Sequence, residues 1–278
     1  MLIQDIVKIL TNAGIESNEA NIEVKMLIEH FAGYGIADII MGKKLDEEKL
    51  KIVEDKAKYR ANTKEPIQYI IGEADFMGEK FIVDKSVLIP RDETEILVQK
   101  AVSVIKENNF TNVLDMCTGS GCIACMIAKL TSATVLGTDI SIEAIETAFK
   151  NMEKMKLFNK ALFRKSDLFS NIRNDEKFDM IVSNPPYIPL KLKNTIQKEV
   201  QFEPEIALYT NDDYGIEFYE QIILKSPDYL NKGGYLMFEL GINESEKVSN
   251  LLKKQGFNNI QIIKDFAEID RVIYANLS

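Results

Sequence analysis

One histidine and no tryptophan occur in the 278 residues of this sequence. The histidine, His30, lies within a helical pattern in the stretch MLIEHFAGY and is predicted to be structural. The sequence therefore excludes a histidine-based metal site and argues against a catalytic triad that depends on histidine. Any chemistry that the protein performs must use other side chains.

Cysteine is also scarce, and Cys117, Cys122 and Cys125 have the spacing C-x4-C-x2-C. Three of the four ligands of a plant-type iron–sulfur cluster have this spacing, but the chain contains no fourth cysteine. The three residues span a glycine-containing loop and the helix predicted after it. We therefore interpret them as small buried residues of a cytosolic protein, and we predict no metal site.

Long apolar runs are absent, although hydrophobic residues make up 46% of the chain, which predicts a soluble globular protein. The first residues, MLIQDIVKIL, carry Asp5 and Lys8 within an amphipathic pattern, which argues against a signal peptide and for a cytoplasmic location. The formal net charge of −9 argues against broad binding to a phosphate backbone. We expect a monomer with no membrane partner and no stable nucleic-acid partner.

Three segments follow one another along the chain. Residues 1–72 contain apolar residues at helical spacing and are predicted to form a small N-terminal helical bundle. Residues 73–90 contain apolar runs at 81–83 and 87–89 around the residues DKS, which predicts a β-hairpin linker. Residues 91–278 alternate between helices and short apolar strands, a pattern typical of an open α/β sheet.

The predicted fold of this third segment is Rossmann-like: a mostly parallel, seven-stranded sheet with helices on both faces. The last two strands, in IQIIK and RVIYA, have no helix between them, so one of them is expected to be antiparallel. Ligands in such sheets bind beyond the carboxyl ends of the strands, where the strand order reverses.

The stretch VLDMCTGSGCIA joins the first strand of the sheet to a helix. Gly119 and Gly121 let the backbone turn tightly and approach a ligand, and the start of the helix offers free N–H groups. Asp139 ends the next strand, where its carboxylate would accept from both hydroxyls of a ribose. Together, these features predict that a nucleoside cofactor binds here.

Asp115 indicates which cofactor is favoured. It lies just before the turn, where its charge would repel the pyrophosphate of a nicotinamide cofactor and attract a cation. The nicotinamide fingerprint tolerates Ala124 at its third glycine position, so the glycine spacing alone does not decide. S-adenosylmethionine carries an ammonium and a sulfonium and no phosphate, and charge therefore favours it.

Asn184-Pro185-Pro186-Tyr187 follows the buried strand FDMIVS, and its two prolines prevent further ladder hydrogen bonds. The side-chain oxygen of Asn184 and a proline carbonyl can accept both hydrogens of a planar –NH2 group, on which Tyr187 can stack. Two such acceptors favour a more nucleophilic nitrogen and stabilise the positive charge that develops on it. This segment therefore predicts methyl transfer to an amide or aromatic amino nitrogen without a strong base.

Motifs along essentially the whole length of the chain carry a family resemblance. They are EPIQYIIGEADFMGEKFIV, VLIPRDETE, VLDMCTGSGCIA, TDIS, KSDLF, SNPPYIP, FEPEIAL, GGYLMFELG and DRVIYA. With them the chain resembles the HemK/PrmC family, protein-(glutamine-N5) methyltransferases that modify peptide-chain release factors. Asn-Pro-Pro-Tyr alone is shared with DNA adenine methyltransferases, whereas IPRDETE and the N-terminal bundle together make the match specific.

The resemblance implies a class I methyltransferase domain over residues 91–278, and a bundle over residues 1–72 that grips the release factor. It implies that the substrate is the glutamine of a Gly-Gly-Gln motif, held by Asn184, Pro185, Pro186 and Tyr187, with Asn184, Pro185 and Tyr187 catalytic. S-adenosyl-L-methionine would be bound by Asp115, Cys117, Thr118, Gly119, Ser120, Gly121, Asp139, Asp167, Leu168 and Asn184. Arg91, Glu93 and Thr94 would shape the methionine end of its pocket.

Three residues depart from the pattern of the family. Cys117 replaces the usual glycine, so a left-handed backbone there is either absent or strained. Asp92 replaces a proline and leaves an acceptable acid in the first turn of a helix. Leu168 replaces a common aromatic residue, which would weaken packing against adenine. We expect these changes to affect the affinity for the cofactor and not the reaction.

Two other functions are compatible with the same motifs. A DNA adenine methyltransferase would present the same acceptors to an extruded base, but it needs a basic segment that grips DNA, and only KLKNTIQK follows the motif. A non-catalytic adaptor would bind the cofactor and dock on the translation machinery. A pure binder, however, has no use for two aimed acceptors beside a methyl donor.

Overall fold

The N-terminal residues are helical, as the spacing of their apolar side chains predicts. The computed structural model describes residues 3–35, 37–38, 41, 43 and 46–278, and the chain divides into two units. The first unit consists of Met1–Gly72 and Gln197–Phe202, and the second of Glu73–Ile196 and Glu203–Ser278. The predicted domain boundaries after residues 72 and 90 stay a prediction.

Acidic side chains begin two helices of the first unit. Glu16 and Asp46 each accept hydrogen bonds from two backbone N–H groups of the first turn, which would otherwise have no partner. The helices are α1 (Ile3–Asn12), α2 (Ser17–Leu27) with a π-helical turn after it (Ile28–Ala32), α3 (Glu47–Thr63) and α4 (Ile67–Ile71). Within the described residues, no helix is long and apolar enough to cross a membrane.

A buried ion pair lies inside this first unit. Arg60 of α3 is 1% exposed and binds Glu23 of α2 through Nε at 3.1 Å and through Nη2 at 2.9 Å. Its Nη1 lies 3.3 Å from Oε1 of Glu199, which belongs to the segment Gln197–Phe202. Burial raises the pKa of Glu23, and the hydrogen bonds from Arg60 oppose that rise. The ion pair therefore joins the segment to the helices of its unit.

The β-hairpin lies within residues 73–90, as predicted, but its strands lie earlier in that segment than the apolar runs 81–83 and 87–89 indicate. β1 (Glu73–Phe76) pairs antiparallel with β2 (Glu79–Ile82), and Met77 and Gly78 form the turn with φ of 50° and 76°. Two residues with positive φ match the right-handed twist of a hairpin. The prediction that residues 81–83 pair with 87–89 is wrong. Val87 instead donates to the carbonyl of Asp84 in a turn, and the N–H of Ile89 donates to the carboxylate of Glu203.

Seven strands of the second unit form a sheet that is parallel except at one strand. The strands after the hairpin are β3 (Asn112–Met116), β4 (Thr134–Asp139), β5 (Ala161–Lys165), β6 (Phe178–Ser183), β7 (Ile188–Pro189), β8 (Tyr209–Thr210), β9 (Leu230–Glu239), β10 (Phe257–Lys264) and β11 (Asp270–Leu277). The sheet has the order β5-β4-β3-β6-β9-β11-β10, and β11 is antiparallel to both neighbours. β7 and β8 form a separate parallel pair. The predicted Rossmann-like fold and antiparallel strand are confirmed.

Helices cover both faces of the sheet because successive strand residues point to opposite faces. The helices of the second unit are α5 (Asp92–Asn108), α6 (Cys122–Leu130), α7 (Ile142–Lys154), α8 (Glu205–Leu208), α9 (Glu217–Lys225) and α10 (Ser245–Lys254). Val113 of β3 belongs to a buried cluster with α5 and α6, whereas Leu114 belongs to a second buried cluster with α9 and α10.

The topology brings two predicted motifs to one edge of the sheet. The chain runs from β3 outward through β4 to β5 and then returns to β6 on the other side of β3. Met116 at the end of β3 is therefore the register partner of Ser183 at the end of β6. The glycine turn and the Asn-Pro-Pro-Tyr segment follow these two residues, so both lie where the strand order reverses.

Candidate active site

Hydrogen bonds and close packing shape the turn after β3. The N–H of Thr118 donates to the carbonyl of Thr138 on β4 at 2.9 Å, and that of Gly121 donates to the carbonyl of Thr118 at 2.8 Å. Gly121 has φ of 77°, and a Cβ there would lie 2.9 Å from the Cβ of Ala148. Gly119, with φ of 53°, has no atom within 4 Å of such a Cβ. The backbone at Gly119 is therefore open to a ligand.

Two residues other than glycine have a left-handed backbone beside this turn. Cys117 has φ of 61° and Leu168 has φ of 44°. This conformation costs an ordinary L-residue about 1–2 kcal/mol. The left-handed backbone at Cys117 is therefore present and strained, and not absent. The carbonyl of Leu168 accepts a hydrogen bond from the hydroxyl of Ser166 at 2.6 Å, which helps to hold its conformation.

Asp115 lies beneath the turn. Its Oδ2 accepts from the hydroxyl of Thr118 at 2.5 Å and from the N–H of Ala124 at 3.1 Å, whereas its buried Oδ1 has no partner among the described residues. Burial raises the pKa of Asp115 to about 7, although these hydrogen bonds oppose the rise. These contacts of Asp115 stabilise the turn. A direct contact between Asp115 and a cofactor stays a prediction.

Asp139 lies at the end of β4, in the wall of a cavity. Its Oδ2 accepts from the N–H of Gly119 at 2.9 Å and its Oδ1 from the N–H of Ser141 at 3.0 Å. Each oxygen keeps a lone pair for one further donor, an arrangement that suits two neighbouring hydroxyls. Burial raises the pKa of Asp139, and the hydrogen bonds from Ser141 and Gly119 oppose that rise.

Asn184 reaches the same cavity from the end of β6. Its Nδ2 lies 3.4 Å from Oγ1 of Thr94, near the start of α5. The hydroxyl of Thr94 donates to Oε2 of Glu239, at the end of β9, at 2.5 Å. Because the proton of Thr94 is directed to the carboxylate, its oxygen must accept from Asn184. The carboxamide oxygen of Asn184 is therefore the atom left to accept from a ligand.

The cavity brings most of the predicted site residues together. Its wall contains Thr94, Cys117, Thr118, Gly119, Ser120, Asp139, Asp167, Leu168, Asn184 and Pro186. Asp115, Gly121, Pro185 and Tyr187 are not in the wall: Asp115 and Pro185 are buried behind it, and Tyr187 is half-buried.

The wall also contains residues that the sequence did not identify as part of the site. They include Ser86, Val87, Leu88, Pro90, Ile140, Ser141, Ile206, Ala207 and Phe218. Most lie in irregular segments or in a short helix, where no periodicity marks a face. Several of them lie in the stretches VLIPRDETE and FEPEIAL, which contribute to the family resemblance. The resemblance, however, assigned no role to these individual residues.

Arg91 and Glu93 are tied to partners on other elements. Arg91 forms an ion pair with Glu203, which also accepts from the N–H of Ile89 at 3.2 Å. The carboxylate of Glu93 lies 3.6 Å from the guanidinium of Arg271 on β11. Neither Arg91 nor Glu93 is part of the cavity wall, so their predicted role at the methionine end of the cofactor stays a prediction.

Known proteins match both parts of the chain. A family model described as PrmC N-terminal domain matches residues 1–72, and one described as Methyltransferase small domain matches residues 92–201. A release factor glutamine methyltransferase from Clostridium acetobutylicum is 41% identical over 234 residues, which are 83% of this chain and 81% of that protein. The chain belongs to the release factor glutamine methyltransferase family.

A second relative in this family, from Fusobacterium nucleatum, is 39% identical over 237 residues. The match covers 84% of this chain and 66% of that relative. Among solved structures, the hMettl16 catalytic domain in complex with an RNA hairpin has a TM-score of 0.59 at 18% identity, covering 81% of this chain and 82% of that one. This likeness concerns the fold. Membership in the family confirms the resemblance predicted from the motifs.

The predicted cofactor, S-adenosylmethionine, fits the residues of the cavity. Gly119 leaves open space for close approach, and Asp139 has an acceptor position free on each oxygen. The unpartnered Oδ1 of buried Asp115 leaves a hydrogen-bond acceptor beneath the turn, which suits a cation better than a pyrophosphate. Cys117 and Leu168 supply apolar surface on the same wall.

Glu239 is the functional candidate that sequence reasoning missed. It is 2% exposed, and its Oε1 lies 3.4 Å from the phenolic oxygen of Tyr187. Burial raises the pKa of Glu239 to about 7, and the hydrogen bond from Thr94 opposes the rise. The signal was present in the sequence: a glutamate ends the apolar strand YLMFE at the carboxyl edge of the sheet. Among the described residues, no group of three or more His, Cys, Asp or Glu side chains is arranged to hold a metal.

Proposed function

We propose that the protein transfers a methyl group from S-adenosylmethionine to the side-chain amide nitrogen of the glutamine in the Gly-Gly-Gln motif of a peptide-chain release factor. The orientation of Asn184 is the observation that carries this proposal. Its nitrogen donates to Thr94 at 3.4 Å, so its oxygen is left to accept from a substrate –NH2 group. A carboxamide oriented in this way is expected in a site that accepts hydrogen bonds from an amino group, and it is not required in a loop that only ends a strand.

The residues of the chain bind and orient the amide, and the cofactor supplies a methyl group on a sulfonium. The oxygen of Asn184 and the carbonyl of Pro185 accept the two hydrogens of the substrate amide, and Tyr187 packs against its plane. The nitrogen lone pair would form the new bond to the methyl carbon while the bond from that carbon to sulfur breaks and its electron pair stays on the sulfur. One proton would then leave the nitrogen for solvent. Because acceptors that are already aimed need little reorganisation, they stabilise the charge that develops on the nitrogen.

The proposed partners follow from the same reaction. Met1–Gly72, which the family model for the PrmC N-terminal domain matches, is proposed to recognise the body of the release factor. A net charge of −9 favours a protein partner over stable nucleic-acid binding, and no membrane partner is proposed. We propose a monomer in the cytoplasm, where its three free cysteines stay reduced.

Two variants separate chemistry from cofactor binding. Asn184→Ala removes one acceptor, and we expect kcat on a release factor to fall by about 10²–10³, as when one preorganised donor leaves an oxyanion hole. Its Kd for S-adenosylmethionine should stay close to that of the parent protein. Asp139→Ala should weaken cofactor binding by about 1.5–3 kcal/mol, because charge-assisted hydrogen bonds are lost.

The measurements are methyl transfer from a labelled donor, the modified residue by mass spectrometry, and Kd by calorimetry. Asn258→Ala, which removes an exposed asparagine side chain from β10, is the matched control and should behave like the parent protein. Label on DNA instead of glutamine would overturn the proposed substrate. A near-parent rate for Asn184→Ala would overturn the acceptor mechanism.

A further inference from the structure

One buried carboxylate connects the two ends of the Asn-Pro-Pro-Tyr segment. Oε2 of Glu239 accepts from the hydroxyl of Thr94 at 2.5 Å, and its Oε1 lies 3.4 Å from the hydroxyl of Tyr187. Thr94 in turn accepts from Nδ2 of Asn184 at 3.4 Å. Glu239 therefore reaches Asn184 through Thr94, and it reaches Tyr187 directly.

We propose that Glu239 is a positioning residue for methyl transfer, a role that rests on the proposed function. An ionised carboxylate only accepts hydrogen bonds, so it directs the hydroxyl proton of Thr94 toward itself. The oxygen of Thr94 then accepts from the nitrogen of Asn184, and the oxygen of Asn184 faces the substrate. The same carboxylate accepts from Tyr187 and fixes the direction of its ring.

Loss of the charge on Glu239 would remove this constraint. A neutral side chain at this position can donate, and Thr94 is then free to direct its proton to Asn184. The carboxamide of Asn184 could rotate and present its –NH2 group to the –NH2 group of the substrate. Two donors facing each other cannot form the hydrogen bond that the reaction needs.

The position of Glu239 is itself well fixed. It is the last residue of β9, and its backbone carbonyl accepts from the hydroxyl of Tyr219 at 2.8 Å. Tyr219 is fully buried in α9. Because the carboxylate of Glu239 is already ordered before substrate binds, it can set the geometry of the neighbouring loop.

Charged and titratable groups surround Glu239 on every packed element. Glu93 on α5 and Arg271 on β11 act in opposite directions, the first raising and the second lowering its pKa. Cys122 on α6 and Tyr219 on α9 also lie close enough to interact electrostatically with it, as does Tyr187. Burial is the largest effect and raises the pKa of Glu239 to about 7. Since the ionised form is the one that positions Asn184, kcat should rise with pH through this value.

Glu239→Gln tests the proposal because it keeps the shape of the side chain but replaces one acceptor with a donor. We expect kcat on a release factor to fall on the order of 10- to 100-fold, as for small misplacements of a reacting group. The Kd for S-adenosylmethionine should stay within about twofold, because the cofactor groups of the turn are unchanged. Thr94→Val, which removes the connecting hydroxyl, should lower kcat by a similar factor, and the double variant should lose little more.

Glu244→Gln is the matched control. Glu244 is also a buried carboxylate, with a pKa raised by burial to about 8, but its partners are the N–H of Gly241 at 2.8 Å and the hydroxyl of Tyr219, and not Thr94. We expect this variant to keep kcat within about twofold of the parent protein. An equal loss of kcat in Glu239→Gln and Glu244→Gln, together with an equal drop in Tm, would mean a structural role only and would overturn the proposal.

The pH profile gives a second test. The parent kcat should decline below about pH 7, and Glu239→Gln should show no such decline. Burial also raises the pKa of Asp115 to about 7, so a decline that persists in Glu239→Gln would assign the titration to another group and overturn the proposal.

A measurement without turnover separates this inference from the proposed function. The side-chain amide signals of Asn184 in a 15N NMR spectrum, assigned with Asn184→Ala, should shift in Glu239→Gln and Thr94→Val but not in Glu244→Gln. Unchanged signals in the first two variants would overturn the positioning role. An inactive parent protein with the expected NMR shifts would instead overturn the proposed function alone.

Discussion

At the scale of single residues, the backbone of Cys117 adopts a conformation that its side chain disfavours. Its φ of 61° lies in the left-handed region, where glycine is the preferred residue. The sequence identified the position as a departure from the family, but it could not decide between a relaxed and a strained backbone. That choice depends on the hydrogen bond from the N–H of Thr118 to Thr138, which only the folded sheet provides.

A comparison of two variants measures this strain. Cys117→Gly removes a conformational cost of about 1–2 kcal/mol, and Cys117→Ala retains it. Greater freedom of glycine in the unfolded chain offsets about 0.5–1 kcal/mol. We therefore expect the glycine variant to have the larger free energy of unfolding, by about 1 kcal/mol, in urea titrations. An alanine variant as stable as the glycine variant, or more so, would contradict strain at this position.

Glu239 illustrates the limit of prediction for single residues. The location of Asn184 and Asp139 at one edge of the sheet could be predicted because each directly follows or ends a strand, and parallel strands end at the same edge. The connection from Asn184 through Thr94 to Glu239 involves three separate elements, α5, β6 and β9. No local pattern in the sequence encodes which of their side chains meet.

At the scale of elements, strands with clear apolar runs were predicted well, whereas the hairpin was predicted in the right segment but with the wrong strands. β3 contains the apolar residues Val113, Leu114 and Met116, and β6 is a mainly apolar run that ends in Ser183. Their parallel pairing is expected because helices alternate with the strands along the chain. The turn of the true hairpin uses Met77, which is not a typical turn residue. The run 87–89 is apolar because it is buried in irregular structure, not because it is a strand.

The ion pair between α2 and α3 gives a prediction at this scale. Arg60→Met leaves Glu23 buried without its partner, and we expect the free energy of unfolding to fall by about 3–5 kcal/mol. The double variant Arg60→Met/Glu23→Leu should recover most of this loss, because an apolar pair of similar size removes both charges. Urea denaturation of both variants measures the difference. A double variant no more stable than Arg60→Met alone would show that the buried charge is not the cause.

At the scale of the whole molecule, buried carboxyl groups make stability depend on pH. Burial raises the pKa of Asp115 and Glu239 to about 7 and that of Glu244 to about 8. At pH values between the ordinary pKa and the raised pKa of these carboxyl groups, the folded state thus binds more protons than the unfolded state. Stability from these groups is complete below about pH 4 and is lost as pH rises through 7 to 8. Glu176, with a pKa lowered to about 2, changes the stability of the protein only at acidic pH.

We therefore expect the free energy of unfolding to decrease from pH 5.5 to pH 8, by about 1–2 kcal/mol for each of the three groups. Urea titrations at the two pH values test this. The triple variant Asp115→Asn/Glu239→Gln/Glu244→Gln should show a much smaller change over the same interval. A parent protein that becomes more stable as pH rises in this range would contradict the assignment.

The segment Gln197–Phe202 has a consequence for the biosynthesis of the protein. It belongs to the first unit, although Glu73–Ile196 precede it in the chain. Arg60 and Glu23 can come together once the helices of residues 3–72 have left the ribosome, but Glu199 is translated long afterwards. The first unit therefore begins to form before Glu73–Ile196 are translated and is completed only after them. A fragment cut after residue 72 would lack part of the unit that it is meant to isolate.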